Sequence, residues 1–67
     1  MEISAANAAK VVHKNKETIR RWVNGNLLPY RKEGLRGDIK INIEDLRKFA
    51  QEYGYRFDED FAAKLVG

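Results

Sequence analysis

Three cations fall within six residues in Lys16-Glu17-Thr18-Ile19-Arg20-Arg21-Trp22, directly behind Asn15. A guanidinium is a planar fork that bonds both acceptors of a guanine edge, and a carboxylate accepts from a cytosine amino group. Arg20, Arg21 and Glu17 therefore carry side chains suited to base edges, while Lys16 and Thr18 suit phosphate oxygens. If Ile19 faces a core, helical spacing turns Glu17, Arg20, Arg21 and Asn24 to the opposite side and leaves Lys16 on the flank. A second set, Arg31, Lys32, Arg36 and Lys40, brackets Gly34 and Gly37. Cations around such a tip can lie along a sugar-phosphate backbone, or place Arg36 in a narrow minor groove. Simpler readings exist for both sets: a Glu17–Arg21 ion pair on a solvated helix face, and a charged sheet edge that resists strand-to-strand aggregation.

Other chemistry finds little to work with. The chain has 67 residues, no cysteine and one histidine, His13, so a disulfide, a thiolate site and a histidine-built metal centre are all excluded. Ser4 has no base beside it in sequence and reads as a helix cap. Asp58-Glu59-Asp60 resembles a cation site only superficially, because acids are favoured in a first helical turn. No enzyme activity and no cofactor are expected. No stretch approaches the roughly 20 apolar residues of a membrane span, and the expected location is the cytoplasm, in association with the nucleoid. Charge is segregated: residues 1–40 hold nine Lys/Arg against four acids, and residues 41–67 hold four against six. That asymmetry suits one face turned to a polyanion.

The elements that would hold these side chains follow from caps and periodicity. Ser4 precedes an alanine-rich helix over about 5 to 12, and Asn15 caps a second over about 16 to 24 with Ile19, Trp22 and Val23 on one face. Gly25 stops that helix, and Pro29 forbids its continuation. Tyr30-Arg31 and Ile39-Lys40-Ile41 read as two short strands around a tip spanning 32–38. Asn42 caps a third helix with Ile43, Leu46, Phe49, Ala50 and Tyr53 at helical spacing, ended by Gly54. Asp58 caps a last short helix in which Phe61 and Leu65 extend the side of Phe57. Trp22 is expected in the core between the second helix and the hairpin. No linker or repeat interrupts the chain, so residues 1–67 read as one domain, mainly α with a small β-hairpin.

Four pieces of this chain occur in an order that resembles a known family. Ile3-Ser4-Ala5-Ala6-Asn7-Ala8-Ala9 is similar to the opening of MerR-like and excisionase-like winged helix-turn-helix domains. Asn15 to Trp22 resembles their second helix, Gly25-Asn26-Leu27-Leu28-Pro29 their step into the wing, and Asn42-Ile43-Glu44-Asp45-Leu46 the helix start after it. The likeness covers roughly residues 3 to 50. It departs at His13-Lys14, where a small or apolar turn residue is usual, and at the wing tip, which lacks a Gly-Gly-His/Arg-Arg run. The resemblance implies a helix-helix-hairpin-helix-helix fold that binds double-stranded DNA in a sequence-specific way, for transcription regulation or as a DNA-architectural, excisionase-type factor. Its second helix would enter the major groove and its wing the flanking backbone, with Lys16, Glu17, Thr18, Arg20, Arg21, Asn24, Arg31, Lys32, Arg36 and Lys40 as contact residues. A lone module of this size buries about 600–1,000 Å² on DNA, so self-association is expected, either cooperatively on repeated sites or through a C-terminal segment beyond this chain. The competing expectation is a protein-interaction module that docks a partner through the face formed by Phe57, Phe61 and Leu65.

Overall fold

The computed structural model describes residues 1–66, and the final residue of the expected single domain, Gly67, lies outside the described residues. Among the described residues the elements are β1 (Glu2–Ser4), α1 (Ala5–Val11), α2 (Lys16–Asn24), β2 (Arg31–Glu33), β3 (Asp38–Asn42), α3 (Ile43–Tyr53) and α4 (Glu59–Val66). About half of the chain is helical, and the three strands form one antiparallel sheet ordered β1-β3-β2.

Side-chain caps define the helix starts. Ser4 accepts a hydrogen bond from the Asn7 amide at 3.1 Å, and Asn15 accepts from the Thr18 amide at 2.9 Å. Asn42 accepts from the Glu44 amide at 2.8 Å, with Glu44 and Asp45 in the first turn of α3. Each cap satisfies an amide that the helix itself leaves without a partner. α1 stops one residue earlier than the sequence suggests, because Val12 serves as its cap and His13 turns into the left-handed region at φ +56°.

The sheet departs from expectation in three places. β1 is a strand that periodicity cannot reveal: three residues are too few to show alternation, and its partner lies far along the chain. It pairs with β3 through Glu2–Asn42, Ile3–Ile41 and Ser4–Lys40. β2 runs from Arg31 to Glu33 rather than over Tyr30-Arg31, and Tyr30 is exposed outside the strand. β3 extends to Asp38 and Asn42, so the hairpin tip shrinks to Gly34–Gly37, closed by a 3.1 Å bond from the Gly37 amide to the Gly34 carbonyl. Polar residues join the ladder there because backbone pairing, not burial, holds this exposed edge together.

One core lies between the sheet and the helices. Ile3 and Ile41 pair across the strands and are both buried, as are Val11, Val12, Ile19, Val23, Leu28, Leu46 and Ala50. Burying a side chain of the Val, Leu or Ile kind stabilises by about 1.5–3 kcal/mol. No polar or charged residue is buried among the described residues. Trp22 is only 7% exposed, as expected of a core residue. Its ring packs on Phe49 of α3 at 4.7 Å and on Tyr55 at 4.8 Å between centroids. The i+3 and i+4 spacing of α2 points Trp22 toward α3, a direction that chain order alone does not reveal.

α4 is fastened to the body by polar groups at its start. The Asp58 amide donates to the Val11 carbonyl at 2.8 Å, and the Asp58 carboxylate accepts from the Phe61 amide at 3.0 Å. The second carboxylate oxygen lies 3.2 Å from Nε2 of His13. Arg47 joins α3 to α4, bonding Glu44 at 2.8 Å and Glu59 at 3.0 Å while its guanidinium lies over the Phe57 ring. The Phe61 amide, and after it the His13 imidazole, hold the Asp58 carboxyl below its ordinary pKa. A carboxyl depressed in the folded state contributes stability above its unfolded pKa and loses it as pH falls through the folded value. Thermal melts between neutral pH and pH 2 should therefore show stability declining below pH about 4. In Asp58→Ala this acid-dependent part should shrink, although Glu2, also held down by its bond to Arg31, keeps a share. Equal pH profiles for the two proteins would show that Asp58 is not part of the acid response.

Candidate functional site

The groove begins with the register of α2. Ile19, Trp22 and Val23 anchor that helix in the core, and at about 100° per residue Lys16 and Arg20 emerge together on one flank. Glu17, Arg21 and Asn24 point further outward and are exposed. Lys16 and Arg20 line a groove of about 340 Å³ that also takes in Arg36, Gly37, Asp38, Ile39 and Lys40 of the hairpin. Ser4, Ala5 and Ala6, at the junction of β1 and α1, complete its lining. Four cations thus meet one acid, Asp38, in a single concavity built from three separate parts of the chain.

How free these cations are decides what they can bind. Among the described residues Lys16, Arg21, Arg36 and Lys40 form no ion pair. Arg20 has only a 3.6 Å contact with Glu17, and both side chains are more than half exposed. An exposed pair of that kind contributes little and is readily exchanged. Glu17 therefore pairs with Arg20 at i, i+3, not with Arg21 at i, i+4, which leaves the Arg21 guanidinium free. Thr18 is less available than its residue type suggests, because its hydroxyl donates to the Asn15 side chain at 2.9 Å.

The hairpin cations divide between two faces. In an antiparallel ladder directly paired residues share a face. Arg31 pairs with Lys40, and Lys40 with Ser4, so these three lie on one side; Lys32 pairs with Ile39 and lies on the other. Arg31 is held further by acids. It reaches across β3 to Glu2 on the far edge strand, with Nε at 2.9 Å from the carboxylate, and its terminal nitrogen also bonds Glu33. The bond from Arg31 holds the Glu2 carboxyl below its ordinary range. Both Arg31 and Lys32 are absent from the groove lining, whereas Arg36 and Lys40 are in it. No sequence pattern signals the Glu2–Arg31 clamp, because it depends on β1 joining the sheet. Ser4–Ala6, Gly37, Asp38 and Ile39 are the lining residues that sequence reasoning did not name as contacts.

The rival face has a different fate. Phe57, Phe61 and Leu65 are partly buried and pack against the core cluster, with Ala62 of α4 fully inside. No helix among the described residues is long and apolar enough to cross a membrane. Comparison of the chain with protein-family models, with curated proteins and with solved structures finds no match.

Proposed function

We propose that this chain binds double-stranded DNA as a winged helix-turn-helix module. α2 enters the major groove with Arg20, Arg21, Glu17 and Asn24 toward base edges and Lys16 on a phosphate. The hairpin is the wing, with Lys40 on the backbone beside the site and Arg36 at the adjacent minor groove. Arg31 is a structural residue in this reading, Thr18 helps shape the helix start, and Lys32, on the sheet face that carries Ile39, touches the flanking backbone. The observation that carries the proposal is the shared groove: cations from the first turns of α2 and from the hairpin line one surface and are largely without acidic partners. The packing of the partly buried Phe57, Phe61 and Leu65 against the core favours this reading over a docking face on α4. Transcription control, or DNA architecture in recombination or segregation, is the corresponding biological role.

Salt titration tests the proposal. Binding to a duplex enriched from a random pool should weaken with salt at a slope of about −0.9 per phosphate neutralised. Three cations of this surface on phosphate, Lys16, Lys32 and Lys40, give a slope of roughly −3 in log K against log salt. A slope near zero, or failure to enrich any duplex, would remove the DNA reading.

A further inference from the structure

The hairpin tip presents an apolar side chain that the fold does not use. Leu35 is fully exposed and lies at a central position of the Gly34–Gly37 turn, where polar residues are usual. A single exposed leucine is common on protein surfaces. This one is distinguished by its surroundings: Arg36, beside it, lines the cationic groove with Lys16 and Arg20. The turn ends, Gly34 and Gly37, adopt φ of +79° and +68°, a conformation that L side chains rarely take. Their lack of side chains leaves Leu35 and Arg36 as the only side chains of the four-residue tip. A minor groove is about 6 Å wide, too narrow for a two-stranded hairpin but wide enough for two projecting side chains.

The geometry points to Leu35 as a wedge that enters the minor groove next to the α2 site and partly unstacks one base step, with Arg36 held by the groove's negative potential. Apolar side chains inserted in this way kink duplexes by about 20–90°. Flexible pyrimidine–purine steps accept the kink most easily. The inference rests on the DNA-binding reading and gives it a mechanical output: the chain bends its site rather than merely occupying it.

The test uses the duplex enriched from the random pool, with a fluorescence donor and acceptor at its two ends and 2-aminopurine placed in turn at the steps flanking the site. The wild-type chain is expected to raise energy transfer and to brighten 2-aminopurine at one step. Leu35→Ala should abolish both signals while weakening binding by no more than about tenfold, and Leu35→Phe should restore them. Because Leu35 is free of the core, circular dichroism of each variant should match the wild type. Intact binding with energy transfer and 2-aminopurine signals unaltered in Leu35→Ala overturns the wedge alone. Absence of any duplex binding by the wild type overturns the wedge together with the DNA reading.

Discussion

Replacing Arg20 and Arg36 together by alanine is expected to weaken duplex binding roughly a thousandfold, at about 2 kcal/mol for each arginine. The two side chains lie far apart in sequence and meet in one groove, so their joint loss removes one cation supplied by α2 and another supplied by the hairpin. Neither loss should cost the fold much. Both residues are exposed, and the Arg20–Glu17 contact at 3.6 Å is weak. Arg31→Ala is the control that gives the experiment its meaning. Arg31 is equally cationic and lies on the same hairpin, yet it is held by Glu2 and Glu33, so its removal should change affinity by about threefold or less. A filter-binding or anisotropy titration of the three proteins decides the matter. If Arg31→Ala weakens binding as severely as the double variant, net charge rather than the shared groove controls affinity.

Trp22→Ala should leave the chain largely unfolded at room temperature. Truncating a buried tryptophan costs about 3–5 kcal/mol, and a single core of this size rarely supplies more than about 3–5 kcal/mol in total. Trp22 is the only tryptophan of the chain and touches both Phe49 and Tyr55, so its loss separates α2 from α3 and from the segment leading to α4. Far-ultraviolet circular dichroism should show most of the helix signal lost, and Trp22→Phe should recover a cooperative melt at reduced midpoint. A Trp22→Ala protein with a native spectrum and an unchanged melt would mean that the aromatic cluster is ornamental to stability.

The parts of this molecule that were legible from sequence are those governed by neighbours within a turn or two. Asn15 and Asn42 cap α2 and α3 as their residue types predict, and Gly54 ends α3. The apolar spacing of Ile19, Trp22 and Val23 locates the buried face of α2, and from it the groove-lining pair Lys16 and Arg20. What was hidden depends on long-range pairing. Glu2–Ser4 becomes a strand only because residues 40–42 lie beside it. Once it does, Glu2 comes within reach of Arg31 and bonds its guanidinium. The face that each hairpin cation takes is hidden for a related reason: the register of β2 on β3 is invisible in a three-residue stretch.

The central position of β3 has a consequence for how the arm is built. Two short strands joined by a tight turn are marginal by themselves in water, and β2 is exposed along its whole length. The opposite side of β3 is gripped by β1, while the Ile43 amide bonds the Met1 carbonyl at 2.8 Å. Ordering of the arm thus waits on capture of the chain's first few residues, a loop closure spanning nearly forty positions. Helices can form from local contacts, whereas the hairpin leans on this long-range pairing, and damage near residue 3 should be felt at its far tip.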